Sequence, residues 1–221
     1  MFEKIINSKI YNVIDKIVKV FWVNILTFLA TVLGLVFFSF GPAILAGTYT
    51  VKLIYQKYEG PVFPVFYNAF KRFYKRGTII FLIFVILLFV LGFNNYYFFT
   101  KLEKQFDWYS FIMLIVMFFF FSISLVSLFH SLLLATCFSQ TNIFELIKNG
   151  IKLTFAFILR SLVFLILLML LIFISYIAPI LIFLLSFFTL VTIIEFILFR
   201  AYDKIEMFDN ISNQVAQQLI R

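Results

Sequence analysis

Three ionisable side chains lie in stretches that are otherwise apolar enough to sit in a membrane. Arg160 follows Lys152 by eight residues, Glu195 precedes Arg200 by five, and His130 lies in a third stretch. A charged side chain in hydrocarbon is costly, so such residues are functional candidates by default. Their chemistry would be the binding of a charged substrate or the transfer of a proton.

Arg160 and Glu195 fall on two consecutive predicted spans. They lie about 12 Å and about 7.5 Å from the same boundary, at 1.5 Å per residue. Because consecutive spans run antiparallel, we expect the two side chains to form a structural ion pair. The alternatives are a substrate or proton site, or side chains that extend separately towards the head groups.

For His130 we expect a structural role. Ser124, Ser127 and Ser131 recur along the same stretch, and small hydroxyl residues usually mark contacts between membrane helices. A histidine without nearby cysteine or carboxylate residues is a poor metal site. We therefore predict neither a metal nor a cofactor.

The motifs of common enzymes are missing from the sequence. It contains no G-x-x-x-x-G-K-[ST] phosphate-binding loop, no H-E-x-x-H and no G-x-S-x-G. A pair of intramembrane aspartates is also absent, and the lone Cys137 excludes an internal disulfide. We expect the chain not to be an enzyme.

Composition predicts the elements that must position these residues. The 221 residues are 64% hydrophobic and 13% charged, with a mean hydropathy of +1.11, whereas soluble domains are about 45–50% apolar. This indicates an all-α polytopic membrane protein with the lipid bilayer as its partner. The net charge of +8 fits lysine- and arginine-rich cytoplasmic loops, and no nucleic-acid module is recognisable. We expect no nucleic-acid partner.

We predict one integral membrane domain over residues 1–221 with about six transmembrane helices. An amphipathic interfacial helix is expected at 1–19 and a cytoplasmic tail at 200–221. The spans are predicted at about residues 20–40, 42–58, 78–100, 109–137, 153–176 and 180–199.

Gly41 and Pro42 are predicted to form the turn between the first two spans, since proline suits the first turn of a helix. Residues 1–19 hold four lysines and residues 52–76 hold six basic residues. Both segments belong on the cytoplasmic side, so an even number of crossings separates them. We therefore expect 42–58 to cross the cell membrane and both termini to be cytoplasmic.

Glu59–Arg76 combines aromatic and basic residues at helical spacing. We predict a second interfacial helix on the inner leaflet; the alternative is an ordinary basic loop with a helical tendency. The side chains expected to contact the membrane surface or a partner are Phe66, Phe70, Lys71, Arg72, Phe73, Lys75 and Arg76.

Three stretches carry a resemblance to a known family. They are Gly34–Ala43 (GLVFFSFGPA), Pro61–Arg76 (PVFPVFYNAFKRFYKR) and Phe144–Asn149 (FELIKN), the last followed by Arg160 in the next span. Together they resemble the YesL-like family of small bacterial membrane proteins of unknown function.

The resemblance covers the chain through about Phe199. It departs from the family at Phe129 and His130, where the family often has Phe-Pro, so the resemblance implies no kink there. Members are often encoded beside carbohydrate ABC importers in low-GC Gram-positive bacteria. The resemblance therefore implies an accessory role in sugar uptake.

We expect a non-enzymatic accessory or regulatory protein that contacts an ABC-type sugar permease or associates with itself. The alternative is a small transporter or channel subunit. Against this alternative, the later spans have almost no polar lining, and broken helices at the membrane midplane are not predicted. A third hypothesis, an enzyme acting on a lipid-linked substrate, has no residues to support it.

Overall fold

The computed structural model describes residues 9–56, 58–138, 141–177 and 187–199, and seven single positions between 202 and 219. All regular structure in these residues is helical, which confirms the predicted all-α class. The helices are α1 (Lys9–Leu33), α2 (Val36–Tyr55), α3 (Val62–Lys104), α4 (Trp108–Cys137), α5 (Ile143–Ala156), α6 (Ile158–Ile177) and α7 (Phe187–Ile193), followed by a π-helical segment (Ile194–Phe199).

Five of the described helices are long and apolar enough to cross a membrane, namely α1 (over Val13–Leu33), α2, α3, α4 and α6. The chain is a multi-pass membrane protein. The predicted sixth span, 180–199, falls partly on residues 178–186, which lie outside the described residues. Its remainder forms a shorter apolar helix, Leu190–Phe199.

The turn between α1 and α2 lies at Gly34 and Leu35, not at Gly41 and Pro42. α1 is continuous from Lys9 and ends at Leu33, so no break separates the described part of the predicted interfacial helix from the first span. Leu35 adopts a left-handed conformation, with φ of 55°. Because Gly41 and Pro42 lie inside α2, the prediction that Pro42 begins a helix is wrong.

α2 is the central element of the core. Every residue from Gly41 to Ile54 is buried. The Tyr49 ring packs against Phe73 of α3 and Phe199 of the π-helical segment, with centroids 5.4 Å and 5.3 Å away. The helix that contains most of the predicted span 42–58 is therefore the one that the other helices surround.

α3 is a single helix of 43 residues, Val62–Lys104, about 64 Å long at 1.5 Å per residue. The sequence prediction divided this stretch near Gly77 into an interfacial helix and a span; in the structure the two are parts of one continuous helix. Its first half packs on α2. Its second half packs along α4. At one end of this contact Arg76 donates to the carbonyl of Phe138 at 2.7 Å, and at the other end the Phe98 ring contacts Tyr109.

α4 coincides with the predicted span 109–137. It begins after Asp107, whose carboxylate accepts hydrogen bonds from the backbone N–H groups of Tyr109 and Ser110, both at 3.3 Å. Such a side chain satisfies helix N–H groups that have no partner within the helix. The hydroxyl of Ser110 donates to the same carboxylate at 2.9 Å, and this bond foremost lowers the pKa of Asp107.

The predicted polar linker 139–152 is mostly helical. α5 occupies Ile143–Ala156, and the helix is interrupted at Phe157 before α6 begins at Ile158. The predicted span 153–176 therefore begins five residues late. The reason is that the polar residues of α5 occupy one face of an amphipathic helix, whose other face is buried against α4.

The predicted cytoplasmic tail 200–221 contributes to the core. Among its described residues, Tyr202, Phe208, Val215 and Leu219 are buried. The carbonyl of Leu219 accepts a hydrogen bond from the side chain of Asn68, at 3.3 Å. These positions pack on the same bundle as α2 and the first half of α3.

Candidate functional site

α2 and α3 meet closest at a junction of four small residues, Gly41 and Pro42 against Gly77 and Thr78. A Cβ atom at position 41 would lie 2.5 Å from the carbonyl oxygen of Gly77, and one at position 77 would lie 3.0 Å from the nitrogen of Pro42. Both glycines are therefore required for the two backbones to touch. Gly41 and Pro42 therefore lie at a packing contact between two helices and not at the predicted turn.

Thr78 explains how Pro42 is accommodated inside a helix. Proline has no N–H, so the carbonyl four residues earlier, that of Phe38, loses its helical donor. The hydroxyl of Thr78 donates to this carbonyl oxygen at 2.6 Å, and also lies 2.7 Å from the carbonyl oxygen of Tyr74 in its own helix. A side chain of α3 thus replaces the missing hydrogen bond of α2.

His130 lies at the centre of a buried polar chain, as its predicted structural role requires. Its Nδ1 contacts the hydroxyl of Tyr202, and its Nε2 lies 3.2 Å from the Ser161 hydroxyl. Ser161 in turn donates to the carbonyl of Thr154 at 3.1 Å. Because the Ser161 hydroxyl uses its proton on the Thr154 carbonyl, it accepts from Nε2–H of His130. Nδ1 is then unprotonated and accepts from the Tyr202 hydroxyl, so the network assigns the Nε2–H tautomer.

A second set of hydroxyl contacts joins α4 to α5 beside this chain. The hydroxyls of Ser127 and Thr154 are 2.9 Å apart, and Thr154 donates to the carbonyl of Gly150 at 3.0 Å. A Cβ atom at Gly150 would collide with Ser131. The serines beside His130 therefore form a helix contact, as the sequence predicts, and Gly150 permits the close approach.

We name the residues Ser127, His130, Thr154, Ser161 and Tyr202 the His130 cluster. It connects α4, α5, α6 and the C-terminal residues, and all its members are buried. A groove of about 410 Å³ lies over Thr154 and Ser161 and is otherwise lined mainly by apolar side chains of α4 and α6. Since both hydroxyls already have partners within the cluster, the arrangement fastens helices together.

The predicted ion pair between Arg160 and Glu195 is wrong for the described part of the chain, where no ion pair joins these two residues. Arg160 lies at the start of α6 and is half-buried. Glu195 is 4% exposed in the π-helical segment. The helix interruption at Phe157 precedes Arg160 by three residues.

Lys52 is the buried cation that lies next to this segment. It is 2% exposed, and its ammonium group lies 4.2 Å from the centroid of the Phe199 ring. Phe199 follows Glu195 by four residues, about one turn, in the π-helical segment. The burial of Lys52 beside this segment was not predicted from the sequence, which indicated only a basic stretch over 52–76.

Phe66 and Phe73 do not contact the membrane surface, contrary to the prediction. Both are buried in the core, and Phe70 is half-buried against it. Arg76 donates to the carbonyl of Phe138, which ends α4. Arg72 is exposed and donates to the side chain of Gln218 at 2.7 Å.

The exposed face of the same half of α3 carries a different set of residues. Phe63, Tyr67, Lys71 and Tyr74 follow one another at helical spacing, and all four are exposed. We name these four residues the α3 stripe. Lys75, next to Tyr74, is also exposed. Of the residues predicted to contact a surface or partner, Lys71 and Lys75 thus remain available for it.

Tyr202 and Thr78 are two of the residues that sequence reasoning missed. Tyr202 lies 72 positions from His130 and Thr78 lies 40 positions from Phe38, so no local pattern connects them. A signal existed for Thr78 alone, because a proline inside a helix requires another donor for the carbonyl that it leaves open. Burial raises the pKa of the Tyr202 phenol above its usual range, which keeps it a neutral donor.

Comparison with known proteins gives one match. Residues 20–95 match a family model described as a protein of unknown function, DUF624. No curated protein and no solved structure matches the chain. The resemblance to the YesL-like family stays a prediction. The chain is similar, over most of α1, all of α2 and most of α3, to an uncharacterised family.

Proposed function

We propose that the chain is a non-enzymatic protein of the cell membrane that acts by binding another membrane protein, as an accessory to an ABC-type carbohydrate importer. The observation that carries this proposal is the α3 stripe. The YesL-like resemblance supplies the importer as the partner. The proposal places the basic half of α3 and both termini in the cytoplasm, following the positive-inside rule.

The α3 stripe has the composition of a protein–protein contact. Aromatic and basic side chains dominate the residues that contribute most to binding at interfaces. Phe63 and Tyr67 stack in parallel with centroids 6.4 Å apart, and Tyr67 is 55% exposed. Lys71 continues the same face one turn later. Because lysine is unfavourable in hydrocarbon, a partner protein suits this mixed face better than lipid tails.

A groove of about 500 Å³ lies beside the stripe, between α1 and the first half of α3. Leu26, Leu29 and Leu33 line its α1 side, and Tyr67 and Tyr74 line its α3 side. An amphipathic helix of a partner can place its apolar face in such a groove. Acidic residues on that helix would then face the lysines of α3, so the proposed partner segment is an acidic amphipathic helix of the permease.

Photo-crosslinking in native membranes tests the proposal. A photoreactive amino acid at Tyr67 should give an adduct with a sugar permease, identified by mass spectrometry. The same amino acid at Phe93 is the control, because Phe93 is also exposed, by 65%, but lies in the apolar half of α3. Charge reversal at Lys71 and Lys75 should reduce the Tyr67 adduct.

Two results would contradict the proposal. An adduct at Tyr67 that contains only a second copy of this chain would assign the stripe to self-association. Adducts with lipid alone, at the level obtained from Phe93, would remove the argument for a protein partner.

A further inference from the structure

We infer that the α1–α2 hairpin does not cross the membrane but enters it from one side and returns to the same side. Its apolar tip, Leu33–Phe38, would lie among the acyl chains of the leaflet opposite the α3–α4 turn. The partner of this surface is therefore lipid. The inference rests on the position of the tip along α3, on its exposed residues and on the hydrogen bonding of the turn.

The tip lies level with the middle of α3. Thr78 donates to the carbonyl of Phe38, and the rings of Phe40 and Phe81 are in contact, with centroids 4.9 Å apart. Phe38 follows the turn residue Leu35 by only three positions. The hairpin therefore ends one turn or so beyond the level of Thr78.

α3 continues far beyond this level. From Thr78 to Lys101 it rises through 23 residues, about 35 Å, which exceeds the ~30 Å hydrocarbon core of a bilayer. At its far end Lys101 forms an ion pair with Asp107, at 3.3 Å, and both side chains are substantially exposed. This charged end marks one aqueous boundary, so the hairpin tip falls near the other boundary.

The exposed residues of α3 indicate that its second half lies in the hydrocarbon core of the bilayer. Ile86, Phe89 and Phe93 are exposed there, Phe89 by 74%. In the first half, at the level of α2, the exposed side chains include Lys71 and Lys75. A membrane around the first half would surround these lysines with lipid and leave the phenylalanines in water, so the hydrocarbon must surround the second half.

The tip itself has side chains that suit lipid. Leu33 is 80% exposed and Leu35 is 72% exposed. Turns in water favour glycine, asparagine or aspartate where the backbone is left-handed, whereas Leu35 occupies that conformation here. An exposed leucine at this position fits a turn that faces acyl chains.

Several polar groups of the turn have partners within the protein, which lowers the cost of placing the turn at membrane depth. The Gly34 N–H donates to the Ala30 carbonyl at 3.2 Å, and the Gly34 carbonyl accepts from the Ser39 hydroxyl at 2.9 Å. The Phe38 N–H donates to the carbonyl of Leu35 at 2.8 Å. Together with the bond from Thr78 to Phe38, these contacts reduce the number of polar groups at the turn that lipid would leave without a partner.

This arrangement replaces the predicted crossing by 42–58. The charge argument required an even number of crossings between the basic segments 1–19 and 52–76. A hairpin that enters and leaves on the same side makes no crossing and satisfies that requirement equally well. The positive-inside rule alone could not distinguish the two arrangements.

Single-cysteine labelling of the full chain in intact cells and inverted vesicles tests the inference. Leu35→Cys is compared with Lys104→Cys and Lys75→Cys, and the parent chain, in which Cys137 is buried, gives the background. A membrane-impermeant maleimide should label positions 104 and 75 from opposite sides. It should label position 35 at background level from the side that labels position 104.

A fluorophore attached to Leu35→Cys gives the second readout. We expect it to be quenched by nitroxide-labelled phospholipid and to be protected from aqueous iodide, whereas the same fluorophore at Lys104→Cys should show the reverse. Labelling of position 35 from the side of position 104 would overturn the inference. Protection from both lipid and aqueous quenchers would also overturn it, because the tip would then be covered by protein.

Discussion

The hydrogen bond from Thr78 to the carbonyl of Phe38 predicts a specific dependence between Thr78 and Pro42. Thr78→Val removes the hydroxyl and keeps the shape of the side chain, so it creates no cavity. It leaves the Phe38 carbonyl, which has no helical donor because of Pro42, without its 2.6 Å partner. The Tyr74 carbonyl, the other acceptor, keeps the backbone N–H of its own helix.

The expected magnitude follows from the state of that carbonyl. A buried acceptor that loses its partner costs about 1–3 kcal/mol, whereas hydrogen bonds in membrane proteins average about 0.6 and reach about 1.7 kcal/mol. Because Thr78 is 9% exposed and the carbonyl has no alternative donor, we expect a loss of about 1–2 kcal/mol. For a chain of this size, this corresponds to a fall in melting temperature of roughly 2–8 °C.

Pro42→Ala supplies the test of the reasoning. Alanine restores an N–H at position 42, which can donate to the Phe38 carbonyl as in any α-helix. In the Pro42→Ala background, Thr78→Val should therefore cost less than about 0.5 kcal/mol, since the carbonyl keeps a donor. Pro42→Ala alone should leave stability unchanged or raise it.

The chain provides a convenient assay. Cys137 is the sole cysteine and is buried, so a thiol-reactive fluorophore reports unfolding in detergent without further substitutions. Thr100→Val is the matched control, because the Thr100 hydroxyl bonds only carbonyls of its own helix, at 3.0 Å. An equal loss from Thr78→Val in both position-42 backgrounds would refute the account of how Pro42 is accommodated.

Three further predictions concern the same chain; the first and third use the same assay, and the second is followed by circular dichroism, because thiol labelling is too slow in acid. Gly41→Ala should lower the melting temperature clearly, because the added Cβ atom would lie 2.5 Å from the backbone oxygen of Gly77. Gly92→Ala should not, because its Cβ atom would lie 3.7 Å from its nearest neighbour, the ring of Phe121. The carboxyl of Asp107 has a lowered pKa, so the stability it contributes is present above pH 3.8 and is lost as pH falls further; the gap between the parent chain and Asp107→Asn should close in acid. Lys52→Leu and Glu195→Leu should each lower the melting temperature, because both side chains are buried; the double variant should recover part of the loss, since it leaves neither charge buried alone, and strictly additive losses would contradict this.

Hydropathy was sufficient for the parts of the fold that lipid dictates. α4 occupies Trp108–Cys137, within one residue of the predicted span. A long apolar run that follows a capping residue such as Asp107 is expected to form a membrane helix that begins at that residue. The apolar second half of α3 was predicted for the same reason. The positions of these helices follow from local hydropathy, which can be read from the sequence without knowing any contact between distant residues.

Contacts between distant segments decided the places where prediction failed. Pro42 is a strong local signal for a helix start, but a hydroxyl from α3 removes the cost of placing it inside α2. Likewise, the spacing of Phe66 and Phe73 shows that one face of the helix is covered, and it does not show whether lipid or protein covers it. Here α2, the core helix, covers them.

The candidate site was predictable to a smaller extent. His130 was identified, and its structural role was expected from the serines around it. Its partners Tyr202 and Ser161 come from the C-terminal residues and from α6. The helix interruption at Phe157, which precedes Ser161, contains no proline or glycine that would have predicted it.

The bond between Phe38 and Thr78 also sets an order of events during synthesis. The ribosome synthesises α2 before α3, so the carbonyl of Phe38 lacks its hydrogen-bond donor until Thr78, forty residues later, has been added and packed. Lys52, buried in the finished protein, likewise waits for Phe199. The helix at the centre of the protein is thus among the first to be made and the last to be completed, and until then the nascent hairpin needs either water or the insertion machinery around it.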